Sequence, residues 1–150
     1  MYCLIPLTRW MALLLLISGL VVSSALAQAS EGAFATWLPK QRWQKRVVLL
    51  CAPNSASSEL KAQRHQLAAA PAELQERDIV VREVLFDQLS NPDRQYIMQK
   101  LGVKPAAFTL LLIGKDGGVK RRETAPISPT SLFGTIDTMP MRRQEARRPK

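Results

Sequence analysis

The run Val47-Val48-Leu49-Leu50-Cys51-Ala52, closed by Pro53, constrains this chain more than any other feature. Six consecutive apolar residues leave no polar face for water, and the proline stops the run at the length of a strand. Such a strand belongs inside a sheet that is covered on both faces, so the flanking sequence must supply helices.

The flanks meet that demand. Asn54-Ser55-Ala56-Ser57-Ser58-Glu59 is rich in capping residues and precedes Leu60, Leu67 and several alanines, which predicts a helix over 57–69 with Asn54 or Ser55 as its cap. Pro71 ends it or opens a further short turn. Residues 79–86 read as a second strand, and Asn91-Pro92-Asp93 opens a second helix with a cap, a proline at the first helical position and an acid in the first turn. Gly102 stops that helix. A third strand is expected over 108–113. Lys115-Asp116-Gly117-Gly118 then permits the positive φ of a tight turn, so residues 119–123 return antiparallel. Lys120, Arg121 and Arg122 suit an edge strand, where charge discourages pairing with another chain. Ser128-Pro129 starts a last helix whose Leu132, Phe133, Ile136 and Met139 share one face, and Pro140 is read as its end.

The order is β-α-β-α-β-β-α. Right-handed crossovers predict that the first three strands are parallel, with the hairpin at the edge of a four-stranded mixed sheet covered by helices. This is an α/β, thioredoxin-like arrangement.

The N-terminus carries an export pattern. Arg9 is a positive flank, residues 11–22 are apolar, and Ser23-Ser24-Ala25-Leu26-Ala27 sets small residues where a signal peptidase needs them. Cleavage near Ala27 is expected, with the rest working in the periplasm or secreted. The apolar run is short for a membrane span, which disfavours a retained anchor. The expected organisation is a signal peptide over 1–27, a leader over 28–45 packed on the domain, one domain over 46–140 and a basic flexible tail over 141–150. Phe34, Trp37, Leu38 and Trp43 in the leader are expected to pack against the domain, because exposing several large apolar groups is uncommon.

The formal charge is +9, and about half of the excess lies in Arg142, Arg143, Arg147, Arg148 and Lys150, opposed there by Glu145. Such a tail is a solubilising end that could also associate weakly with an acidic membrane surface. Nucleic acid is not an expected partner, since no aromatic residues alternate with these cations. Cys3 leaves with the signal peptide, so Cys51 is the one thiol of the mature chain and no internal disulfide can form. No metal or other cofactor is expected: one histidine, His65, and scattered acids do not make a convergent ligand set. G-x-S-x-G is absent as well, and His65 sits between Arg64 and Gln66 on the surface of a helix, which argues against a hydrolytic serine.

Trp43, Leu50-Cys51-Ala52-Pro53-Asn54-Ser55, Gly102-Val103, Phe108-Thr109, Leu112-Ile113-Gly114-Lys115-Asp116-Gly117-Gly118-Val119-Lys120, Pro126-Ile127-Ser128 and Ile136-Asp137-Thr138-Met139-Pro140-Met141-Arg142-Arg143 together resemble a family of short exported bacterial proteins of unknown function. The same domain is held to occur in vertebrate sushi-repeat and extracellular-matrix proteins, including those down-regulated by oncogenes. The resemblance covers residues 37–145, and 113–120 and 139–143 are its most specific segments. It implies a thioredoxin-like fold without implying a settled activity.

Thioredoxins proper carry Cys-x-x-Cys at the start of the helix after the first strand, and Ser55-Ala56-Ser57-Ser58 stands there in this chain. Thiol exchange needs one thiolate to form a mixed disulfide and a second to resolve it, which serine cannot do. Phe108 and Thr109 stand where thioredoxins place a cis-proline. The expectation is a noncatalytic binding or structural module outside the cytoplasm, for an unknown protein or anionic ligand. Its interaction face would lie around Ser55, Ser57, Ser58, Phe108 and Thr109, where free N–H groups at a helix start and hydroxyls could receive an anion. The alternative is a single-cysteine thiol oxidoreductase or peroxidase using Cys51, which requires an exposed thiol of lowered pKa.

Overall fold

In a computed structural model that describes residues 33–147, the chain runs α1 (Ala33–Lys40), β1 (Arg46–Ala52), α2 (Ser58–Ala68), α3 (Pro71–Glu76), β2 (Ile79–Leu85), α4 (Asn91–Lys100), β3 (Thr109–Ile113), β4 (Val119–Glu123), α5 (Pro129–Asp137) and α6 (Pro140–Ala146). The expected signal peptide over 1–27, with its cleavage site, lies outside the described residues, as do Arg148 and Lys150.

The four strands form one mixed sheet in the order β2-β1-β3-β4. β1 is central and buried along its whole length, as its continuous apolar run requires. Its residues alternate between two cores. Val47, Leu49 and Cys51 join Leu111, Ile113, Val84, Ile97 and Phe34 on the face covered by α1 and α4. Val48, Leu50 and Ala52 join Leu110, Leu112, Leu60, Leu67, Leu132 and Ile136 on the face covered by α2 and α5. Strand pleating divides one unbroken sequence run between both layers.

The direction of β3 departs from the expectation of three parallel strands. β1 pairs with β2 in parallel, Val48 opposite Val81, but with β3 antiparallel, Leu49 opposite Leu111 and Cys51 opposite Thr109. The cause lies in the connection. α4 has 10 residues, about 15 Å of helix, and its cap Leu101 is followed by Gly102 with φ +63°. The irregular segment over 102–108 can then reach about 23 Å. It carries the chain back to the C-terminal end of β1, so β3 enters from that side.

Cap positions also shift. Ser57, not Asn54 or Ser55, caps α2, its Oγ accepting from Leu60 N. Ser90, not Asn91, caps α4 by accepting from Asp93 N. The leader contributes α1, with Phe34 and Leu38 buried and Trp37 partly so, but Trp43 is 63% exposed. Trp43 has φ +64°, a conformation unusual for a bulky residue. Its N–H donates to the Lys115 carbonyl at 2.6 Å, and the Arg42 guanidinium lies 5.9 Å from its ring centroid.

Pro140 does not end the last helix. It opens a new one, α6, at the first helical position, where its missing N–H costs nothing. The basic tail expected from residue 141 is therefore helical as far as Ala146, and Arg142 is buried within it.

Candidate functional site

The expected interaction face lies at the C-terminal end of β1. An open cleft of about 550 Å³ is lined there by Asn54, Ala56, Ser57, Ser58, Ala107 and Phe108, among others. Ser55 is exposed in the loop that leads into it. The helix start already holds a carboxylate of this chain: Ser57 Oγ and Ser58 Oγ donate to Glu59 Oε2 at 2.9 and 3.0 Å. A backbone N–H bond and the two serine hydroxyls hold the Glu59 carboxyl below the usual carboxylate range. Glu59 thus takes the place in which the sequence predicts an anion. Phe108 is a core residue in the cluster of Leu60 and Leu132 as well as a cleft wall. Thr109 is buried within the sheet opposite Cys51, which removes it from any interaction face.

Cys51 is enclosed. It has no exposed surface, and its register partners are Val84 and Thr109. Burial pushes the thiol up to about 12, only partly opposed by the charge of Arg122. The thiolate is the nucleophile, and at neutral pH a thiol shifted upward in this way stays protonated. His65 is exposed on α2. Among the described residues, no group of three or more His, Cys, Asp or Glu side chains is placed to hold a metal ion.

At the opposite end of β1 lies a charged network that local sequence patterns do not announce. The Arg46 side chain is 1% exposed, and its Nη1 donates to the Arg77 carbonyl at 2.8 Å and to Glu145 Oε2 at 3.1 Å. Lys115 Nζ donates to Glu145 Oε1 at 2.7 Å and to Asp78 Oδ2 at 2.9 Å, and Lys45 reaches Asp78 Oδ1 at 3.2 Å. Asp78 is held below its usual range by the hydrogen bond from Lys115. Burial alone would raise Glu145, but hydrogen bonds from Lys115 and Arg46 outweigh it and bring the carboxyl down.

A second group adjoins the first. Arg77 grips Asp137 with two bonds of 3.0 and 2.8 Å and lies 4.7 Å over the Phe133 ring. Arg142 Nε reaches Asp137 at 3.3 Å, and its Nη1 donates to the Glu76 carbonyl at 3.2 Å. Of the basic residues assigned to the tail, Arg142 is thus a structural clamp, while Arg143 and Arg147 are exposed. Lys45-Arg46, standing directly before an apolar strand, was the one local hint of this network.

Among solved structures, the chain is similar to the reduced 2-Cys peroxiredoxin of Plasmodium vivax, with a TM-score of 0.56 at 15% identity over 73% of this chain and 72% of that one. It is also similar to Trxlp of Edwardsiella tarda EIB202, with a TM-score of 0.50 at 24% identity over 68% of this chain and 91% of that one. These likenesses establish the thioredoxin-like fold. Among curated proteins, coiled-coil domain-containing protein 80 of Danio rerio is 26% identical over 133 residues, a match that takes in 73% of this chain but only 15% of the fish protein. Residues 37–145 match the family described as Domain of unknown function (DUF4174), and with most of its length inside that match the chain belongs to this family.

Proposed function

We propose that the chain, once residues 1–27 are removed, is a noncatalytic thioredoxin-like module that binds a partner or ligand outside the cytoplasm. The observation that carries this is Cys51: the only thiol of the mature chain is fully enclosed and its pKa is raised to about 12, whereas a working thiol is accessible and has a lowered pKa. Ser55 and Ser58 stand at the two dithiol positions of thioredoxins, and serine cannot carry thiol exchange. The likeness to the Plasmodium vivax 2-Cys peroxiredoxin is one of fold, and a shared fold does not transfer activity. Arg143 and Arg147 are exposed and support at most a weak, salt-sensitive attraction to acidic surfaces.

The test compares the mature protein with its Cys51→Ala variant for insulin reduction and for hydrogen peroxide turnover with dithiothreitol. Both proteins are expected at the uncatalysed rate. Turnover in the unaltered protein that Cys51→Ala abolishes would establish the single-cysteine enzyme instead.

A further inference from the structure

Trp43 is 63% exposed, more than any other large apolar side chain among the described residues. We propose that Trp43 and the cations beside it dock the protein on an acidic phospholipid surface, with the indole seated among the headgroups.

The backbone holds this indole outward. Trp43 has φ +64°, a conformation that glycine adopts freely and that strains a residue carrying a side chain. The turn is closed by Gln44 N and Lys45 N, which donate to the Gln41 carbonyl at 3.0 and 2.9 Å, and Trp43 N is pinned to the Lys115 carbonyl. A glycine would suit this position better and would expose no apolar surface. Neither the turn nor the core therefore accounts for a tryptophan here, and strained residues of this kind concentrate at functional sites.

The surroundings select the partner. Residues 40–46 hold four cations and no acid. Arg46 is buried, but Lys40, Arg42 and Lys45 are exposed. Lys45 is paired with Asp78, whereas Lys40 and Arg42 join no ion pair among the described residues. The Arg42 stem crosses the β3–β4 turn, with Cγ and Cδ 3.1 Å from the point where a Cβ on Gly117 would stand. Two residues beyond Gly117 lies Val119, 43% exposed. Its register partner is Ile113, so it shares the face of the sheet that α1 covers, the helix that leads into Trp43. A dissolved anion would satisfy the cations and leave the indole in water. A bilayer interface takes both, since indoles and basic side chains settle together at headgroup depth.

This names a partner class for the binding module proposed above. It uses neither Cys51 nor the serine loop, so the thiol assays do not bear on it. Its test is co-sedimentation of the chain from Gln28 with vesicles of phosphatidylglycerol and phosphatidylcholine, alongside tryptophan emission. Vesicles of phosphatidylcholine alone and soluble polyphosphate are the controls. Binding to the acidic vesicles, with a blue shift in emission that neither control gives, is expected. Trp43→Gly should abolish the blue shift and weaken binding at least about tenfold, while its urea midpoint holds or rises because glycine accepts the positive φ. Lys40→Glu changes the charge by two units, each worth about fivefold at an acidic surface, and should weaken binding at least about tenfold. Neutralising Arg143 and Arg147 together should leave the blue shift in place. Should Trp43→Gly unfold at lower urea, Lys40→Glu decides. No binding to acidic vesicles, an equal shift with polyphosphate, unchanged affinity in Trp43→Gly or in Lys40→Glu, or a blue shift lost with Arg143 and Arg147 would each overturn the proposal.

Discussion

Replacing Glu145 by Gln tests whether the charged network holds the C-terminal helix in place. Glu145 is 25% exposed, but the cations that it joins are 1% exposed at Arg46 and 9% at Lys115. Removing one partner of a buried ion pair costs about 3–5 kcal/mol. Here Arg46 keeps the Arg77 carbonyl and Lys115 keeps Asp78, so the loss falls to about 2 kcal/mol. With a urea slope of about 1.5 kcal/mol/M, the unfolding midpoint drops by about 1.3 M. The interaction is also pH-dependent. The folded pKa of Glu145 lies below its ordinary value of 4.5. Its contribution is therefore complete above pH 4.5 and lost as pH falls through the lowered folded value. Urea unfolding of both proteins at pH 7, and again in acid, should show a gap that closes as pH falls. A loss below about 0.5 kcal/mol at pH 7 would refute the reasoning, because it is what an ordinary surface pair would give. A gap that widens in acid would refute the sign of the linkage.

Other outcomes follow from single contacts. Ser57→Ala removes the cap of α2 and should cost about 1 kcal/mol in urea unfolding, while Ser58→Ala, which caps nothing, should stay within about 0.5 kcal/mol. Equal losses would show that the bonds to Glu59, which both serines share, matter more than the cap. Mass determination on exported material should give a chain beginning at or near Gln28, and a species that retains residues 1–27 would refute the proposed localisation.

Strands β1, β3 and β4 were legible because β1 beyond Arg46 and β3 beyond Thr109 are apolar without interruption and β4 follows a Lys-Asp-Gly-Gly turn, so composition and punctuation agreed. The direction of β3 was not. It depends on how far α4 and the residues after Gly102 carry the chain, a length balance that periodicity does not encode. Caps were ambiguous for a narrower reason: Ser90 and Asn91, or Asn54, Ser55 and Ser57, are all competent side chains, and only the backbone angles of the folded chain select Ser90 and Ser57. Pro140 belongs to the same class, since proline both follows helices and opens them. Arg142 was misread because a run of exposed-type residues looks solvated. Its partner Glu76 lies 66 residues away in sequence, and no local window holds both.

The two ends of β1 have become different kinds of surface. At its C-terminal end, where this fold elsewhere carries thiols, Ser57 caps α2 and both Ser57 and Ser58 donate to Glu59 beside an open cleft. At its N-terminal end, polar groups are concentrated where apolar packing would serve docking at least as well, since replacing a buried ion pair by well-packed hydrophobic residues is often neutral or stabilising. The two segments most specific to the family resemblance, 113–120 and 139–143, both contribute walls to a cavity of about 250 Å³ beside Arg46 and Lys115. Glu145 thus joins the sheet through Arg46 and Lys115, which ties the C-terminal helix to the N-terminal end of β1 across about a hundred residues of sequence.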